Sequence, residues 1–247
     1  MAIPYTECPK CAHWPLPAEQ SLPVACPACG VILAKVGQAL LGPVAEPDAT
    51  GARDEEAYDD SANQSPADRA ATFWARAALL LALTIWGWVL IRLDYRSGEF
   101  GSSFLHRPLL LFHEAGHIIF MPLGHWFSVL GGTLGQLLMP AIMSAALLLK
   151  NRDRFGAAVG LWFFGVSLLD VAPYMYDALQ PQLMLLSGRT GESGGHDWIY
   201  LFNSLGLLPR AQVIGGRTHT LGALVVVLSL TWAARLLWRQ RSARRGA

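Results

Sequence analysis

The sequence predicts an all-α polytopic membrane protein of about four to five transmembrane helices, preceded by a small cysteine-rich module. Three observations lead there. The 247 residues are 53% hydrophobic and only 15% charged, whereas soluble domains carry about 25% charged residues. From Phe73 onward the apolar residues gather into runs of bilayer length. All four cysteines lie within the first 29 residues, as two C-x-x-C pairs. A net charge of +1 gives no electrostatic reason for a nucleic-acid partner. Nine tryptophans suit a chain with several water–lipid boundaries, where indole rings settle.

Residues 1–37 form the first module. Cys8-Pro9-Lys10-Cys11 and Cys26-Pro27-Ala28-Cys29-Gly30 read as two knuckle turns separated by fourteen residues. Each turn points two sulfurs at one metal, and this spacing is the signature of a structural zinc site of zinc-ribbon type. A rubredoxin-type iron site is the alternative for the same four thiolates. So short a module buries too little apolar surface to fold alone, and the metal supplies the missing stability. Four thiolates close the coordination shell, so this site is structural and leaves no position for a substrate. Lys10 and Lys35 are its only cations, which favours a protein partner over nucleic acid. Free thiolates call for a reducing compartment. No basic start followed by an apolar run precedes them, and the N-terminus is expected in the cytoplasm.

Residues 38–70 read as a flexible linker, with Pro43, Pro47, Pro66 and the acidic cluster Asp54, Glu55, Glu56, Asp59 and Asp60. Residues 71–240 form the membrane-embedded domain. Its apolar runs are Phe73–Leu93, Leu109–Leu123, Leu130–Leu149, Phe155–Ala172 and Leu221–Trp238, with residues 173–217 as a re-entrant or extramembrane segment. Backbone groups in lipid must pair internally, so the spans are expected to be helices. The cluster Lys150–Arg154 and the tail Arg239, Arg241, Arg244 and Arg245 both favour the cytoplasm. Five full crossings from a cytoplasmic start would put that tail outside, so one run is expected to be re-entrant.

His113-Glu114-Ala115-Gly116-His117 lies inside the second run. On a helix the two histidines share a face, and their imidazoles supply two of the four positions around zinc. Zinc lowers the pKa of bound water to about 7, and a neighbouring carboxylate can take its proton. Two histidines and a glutamate at membrane depth are costly unless they have partners or work.

This motif within an apolar span resembles the site-2-protease class of intramembrane zinc metalloproteases, the M50 family and its M50B-like relatives, over roughly residues 105–210. The resemblance implies a membrane-embedded metalloendopeptidase that cleaves membrane-protein substrates, with two zinc ions, one catalytic and one structural. It implies His113 and His117 as catalytic-zinc ligands and Glu114 as general base. It implies a place in the lipid bilayer of a bacterial inner (cell) membrane; the separate zinc-ribbon module (Cys8, Cys11, Cys26, Cys29), read from its own cysteine spacing, is expected to serve as a docking module. Gly131-Gly132-Thr133-Leu134-Gly135-Gln136 with Pro140 resembles the Gly-rich segment that follows the motif helix, whose small residues serve close helix packing or face substrate. Asp170-Val171-Ala172-Pro173 resembles the family's N-x-x-P segment with Asp in place of Asn, and no L-D-G follows. The third ligand is therefore expected at Asp197, presented by a Gly-Gly turn at the start of a helix. Asp177, His196 and Asp170 also compete for that role, Asp170 also as a partner that orients a ligand histidine. A catalytically inactive relative with a structural, transport or partner-binding role is the second expectation.

Overall fold

The computed structural model describes residues 5–17, 24–33 and 65–245. The chain divides into two compact units, residues 1–55 and 56–247. Most of the stretch read as linker, residues 38–64, lies outside the described residues.

Between Ser65 and Arg245 the second unit is helical, with no strand among the described residues. Its α-helices are α1 (Pro66–Arg92), α2 (His106–Phe120), α3 (His125–Leu149), α4 (Arg154–Asp177), α5 (Asp197–Ser204) and α6 (Ala211–Arg245). The first begins inside the expected linker, for a local reason. Ser65 caps the Asp68 N–H, the Asp68 side chain caps Ser65 in return, and Pro66 fills the first position. Asp153 likewise starts α4 by accepting from the N–H groups of Phe155 and Gly156.

Four segments are long and apolar enough to cross a membrane: Ala67–Arg92, His125–Leu149, Arg154–Asp177 and Leu208–Ser242. The Leu109–Leu123 run is not one of them. It yields the 15-residue α2, about 22 Å long and shorter than a hydrocarbon core of about 30 Å. It ends where Pro122 and Gly124 (φ 99°) break the helix. The other spans also differ in extent, since α4 runs to Asp177 and α6 begins at Ala211 instead of Leu221. Large apolar residues such as Leu81, Ile85, Ile142, Leu224 and Leu228 stay exposed on the outer faces. In water they would be a liability, and in lipid they are solvated.

The central helix is α4, with 72% of its span window buried against 17–28% for the others. Helices α4 and α6 meet through glycines. A Cβ at Gly222 would lie 2.9 Å from the Gly165 carbonyl, and one at Gly215 would lie 2.8 Å from the Tyr176 nitrogen. Near the start of α4, Phe155 and Ala158 pack with Ala233 and Leu237 of α6 and with Phe73 and Ala77 of α1. Arg76 also reaches Asp153 at 3.5 Å. Near its finish, Val171 and Met175 pack with Trp198 and Phe202 of α5, Ala211 of α6 and Trp126 of α3. The bundle thus has two distinct ends, about 36 Å apart along the 24 residues of α4.

Residues 93–120 leave and return at the same end. Tyr95 packs edge-on against Tyr176 at 5.6 Å. Leu105 and Leu109 then enter the core formed by Leu83, Trp162, Val166 and Leu169, and α2 runs back until Ser128 Oγ bonds the His117 carbonyl at 2.9 Å. This stretch folds back to the end it left without traversing the bundle, and among the four helices long and apolar enough to cross a membrane the start of α1, the α3–α4 turn and the finish of α6 share one end.

In the first unit the two cysteine turns repeat one hydrogen-bond pattern. Ala12 N–H donates to the Cys8 carbonyl at 2.8 Å, and Gly30 N–H donates to the Cys26 carbonyl at 2.8 Å. Ala12 (φ 54°) and Gly30 (φ 70°) hold equivalent left-handed positions. Leu33 is buried against Cys8 and Cys26.

Candidate metal centre and its cavity

Two groups of residues have the donors and the spacing to hold a metal ion among the described residues: Cys8, Cys11, Cys26 and Cys29, and His113, His117 and Asp197. In the first, Sγ of Cys8 lies 3.6 Å from that of Cys29, and Sγ of Cys11 lies 3.8 Å from that of Cys26. Four sulfurs each about 2.3 Å from a central ion would sit about 3.8 Å apart, so the cage has the right size for tetrahedral thiolate coordination. Burial opposes ionisation of Cys8, but the Lys10 and Cys11 backbone N–H groups and the neighbouring thiols bring it down to about 6. The His13 backbone favours the Cys11 thiolate, yet the Cys29 thiol, burial and the other sulfurs push it up to about 12.

The second group is assembled from three elements. Helix α2 puts His113 and His117 on one face, with ring centroids 4.9 Å apart. Gly194 (φ 96°) and Gly195 (φ 80°) turn the chain so that Asp197 opens α5 beside them. Asp197 Oδ2 lies 2.9 Å from His113 Nε2 and 3.4 Å from His117 Nε2. Donors about 2.0–2.1 Å from a tetrahedral ion would be about 3.3 Å apart.

The far side of each ring is fixed by a bond that selects its tautomer. His117 Nδ1–H donates to the Ser128 carbonyl at 2.8 Å. His113 Nδ1–H donates to Gln136 Oε1 at 3.3 Å, and Gln136 Nε2 donates to Asp170 Oδ2 at 2.6 Å. Asp170 Oδ1 also accepts from His106 Nδ1 at 2.7 Å. With both Nδ1 atoms protonated, both Nε2 lone pairs turn toward Asp197, as metal-ligating histidines require. Asp170 is therefore two bonds behind His113 and outside the ligand group.

Asp177 and His196, which the sequence also offers as third ligands, fall outside the group as well. His196 accepts the Ile199 N–H at Nδ1 and caps α5, and its Nε2 faces Asp177 Oδ2 at 3.3 Å. Asp177 Oδ1 accepts from the Gln182 and Leu183 N–H groups. Together they fasten both ends of the loop that delivers Asp197. Tyr174 stacks on His196 at 4.1 Å, and its hydroxyl accepts the Asp197 N–H at 3.0 Å.

The Gly-rich segment of α3 divides by position. A Cβ on Gly135 would lie 2.5 Å from the Phe112 carbonyl, and one on Gly131 would lie 2.6 Å from the Gly116 carbonyl, so these two let α2 and α3 touch backbone to backbone. Gly132 does something else. Its Cβ would lie 2.5 Å from His113 Nε2 and 2.6 Å from His117 Nε2. The missing side chain leaves open the place where an ion bound by both rings would sit. Spacing, tautomers and this open cradle all fit a divalent cation.

The group opens on a cavity of about 870 Å³ lined by Glu114, His106, Gln136, Asp170, Tyr174 and the 183–195 loop, among others. Comparison with protein-family models, with curated proteins and with solved structures found no match. Sequence reasoning missed the parts played by Gln136, Ser128, Tyr174 and Gly132. For Gln136 a signal exists, because an amide inside a bilayer-length apolar run needs a buried partner.

Proposed function

We propose that the chain is a membrane-embedded zinc metalloendopeptidase of the M50-like, site-2-protease class, acting on membrane proteins in a bacterial inner membrane. The observation that carries this reading is the convergence of His113, His117 and Asp197 at the wall of a cavity that Glu114 also lines. Zinc bound there supplies a Lewis acid that makes water nucleophilic near neutral pH. His113 and His117 would hold it through Nε2, and Asp197 would add a carboxylate whose negative charge helps balance the ion. Ser128, Gln136 and Asp170 keep the rings turned inward, and Glu114 accepts the proton of the attacking water and passes it to the leaving amine.

The four-cysteine cage is read as a structural zinc ribbon, a cytoplasmic docking module for a protein partner. A second reading, a metal-holding membrane protein without peptidase activity, has its own support in the missing L-D-G and in Asp170 standing where the family has Asn. Cleavage of a membrane-anchored substrate by the purified chain in liposomes separates the two. Activity is expected to vanish on chelation and to return with zinc added back. A chain that holds zinc at the core group but cleaves none of a panel of membrane-anchored substrates supports the second reading.

A further inference from the structure

We infer that the His113–His117–Asp197 site works at the non-cytoplasmic face of the membrane, so that its substrates are membrane proteins presenting their scissile segment on that side. This rests on the peptidase reading for the word substrate, but the placement of the site does not. The two ends of the bundle differ in charge and in what they carry. The end holding the start of α1, the α3–α4 turn and the finish of α6 is densely basic. Its short turn and its immediate flanks contain Lys150, Arg152 and Arg154, and the last turns of α6 contain Arg239, Arg241, Arg244 and Arg245. The loops and flanks at the opposite end are longer and more thinly charged, with Arg92, Arg96 and Arg107 around the α1–α2 connection and Arg189, Arg210 and Arg217 between α4 and the second turn of α6, six cations against nine once Arg69 and Arg76 of α1 are counted with the basic end. Short flanks rich in Lys and Arg stay in the cytoplasm.

Redox chemistry points the same way. The four free cysteines need a reducing compartment, and the sequence between Cys29 and Pro66 has no apolar run able to cross a bilayer. Pro66, which opens α1 at the basic end, therefore starts on the reducing side.

The site belongs to the other end. Asp197 follows the 178–196 loop, and α5 packs against the finish of α4 and the starts of α3 and α6. His117 is bonded to Ser128, one turn into α3. The cavity is walled by Gly98, Gly101 and residues 183–187, all from that end, and Met184 and Leu186 on its rim are exposed. The re-entrant path of residues 93–120 makes this possible, because it returns the histidines to the end from which α1 emerged. A fifth crossing would have brought the chain back to the basic end instead.

Single cysteines added to the full chain test this in intact bacterial cells, using a membrane-impermeant maleimide before and after permeabilisation. Glu192→Cys sits on the 178–196 loop and Asn151→Cys in the basic turn, both at exposed positions. Glu192→Cys is expected to label in intact cells, and Asn151→Cys and the four native cysteines only after permeabilisation. The reverse pattern, or identical behaviour at the two added positions, overturns the inference. Each of these outcomes leaves metal binding and peptidase activity to be judged by their own measurements.

Discussion

Replacing Gly132 with alanine is expected to abolish metal binding at the core group without removing a single donor atom. The added methyl would lie 2.5 Å from His113 Nε2 and 2.6 Å from His117 Nε2, while a zinc–imidazole bond is about 2.0–2.1 Å. Methyl and ion compete for the same place. The rings cannot move aside freely, because Nδ1 of each is tied to Ser128 or Gln136, and α2 cannot retreat without breaking its glycine contact with α3. The expected loss of affinity exceeds the roughly 10–100-fold typical of disturbing an outer partner of a metal ligand. Competition with a chelating dye on the full chain checks this, and the cysteine cage provides an internal reference. Core-site affinity equal to that of the unaltered chain would show that the ion, if any, sits elsewhere.

Glu114→Gln carries the second large effect. Glutamine keeps the shape and hydrogen-bonding reach of glutamate but cannot take a proton at neutral pH. Glu114 is absent from the donor group of His113, His117 and Asp197, so the variant is expected to bind metal as before. Its cleavage rate is expected to fall by about 10²–10⁴-fold, the usual worth of a positioned general base. Parallel measurements of metal content and turnover check both halves. Undiminished turnover rules out the assigned role, and loss of metal would move Glu114 into the coordination shell.

Helices long enough to span a membrane were readable because lipid demands what periodicity and composition report directly. Phe73–Leu93 and Leu130–Leu149 fall within α1 and α3, give or take a residue at the end of the first. The path of Leu109–Leu123 was not readable in the same way. Its composition is that of a span, but Leu105 and Leu109 are claimed by the core around Trp162, and Pro122 with Gly124 stops the helix short. A need for one re-entrant run could be stated from the charge pattern, and only tertiary packing says which run it is.

The two histidines are one turn apart, so sequence alone puts them on one face. The carboxylate opposite them comes from far downstream, with Asp170, Asp177, His196 and Asp197 all near enough in sequence to compete. Their partners sort them. Asp177 and His196 engage each other, Asp170 is occupied by Gln136 and His106, and Asp197 alone reaches both Nε2 atoms. Such partnerships depend on which helix faces which, and local pattern does not encode that. Gly132 was visible only as one small residue among three, although a single missing methyl separates a cradle for an ion from an ordinary helix contact.

The claim beneath all of this is that His113, His117 and Asp197 together hold a divalent cation. Metal analysis of the purified full-length chain with Cys8, Cys11, Cys26 and Cys29 all changed to serine tests it most directly, because only the core group is then left to bind. One tightly held ion per chain is predicted, and none once Asp197→Ala is added. A serine-substituted chain that holds no ion, or one whose ion survives the loss of Asp197 with unchanged affinity, contradicts the account.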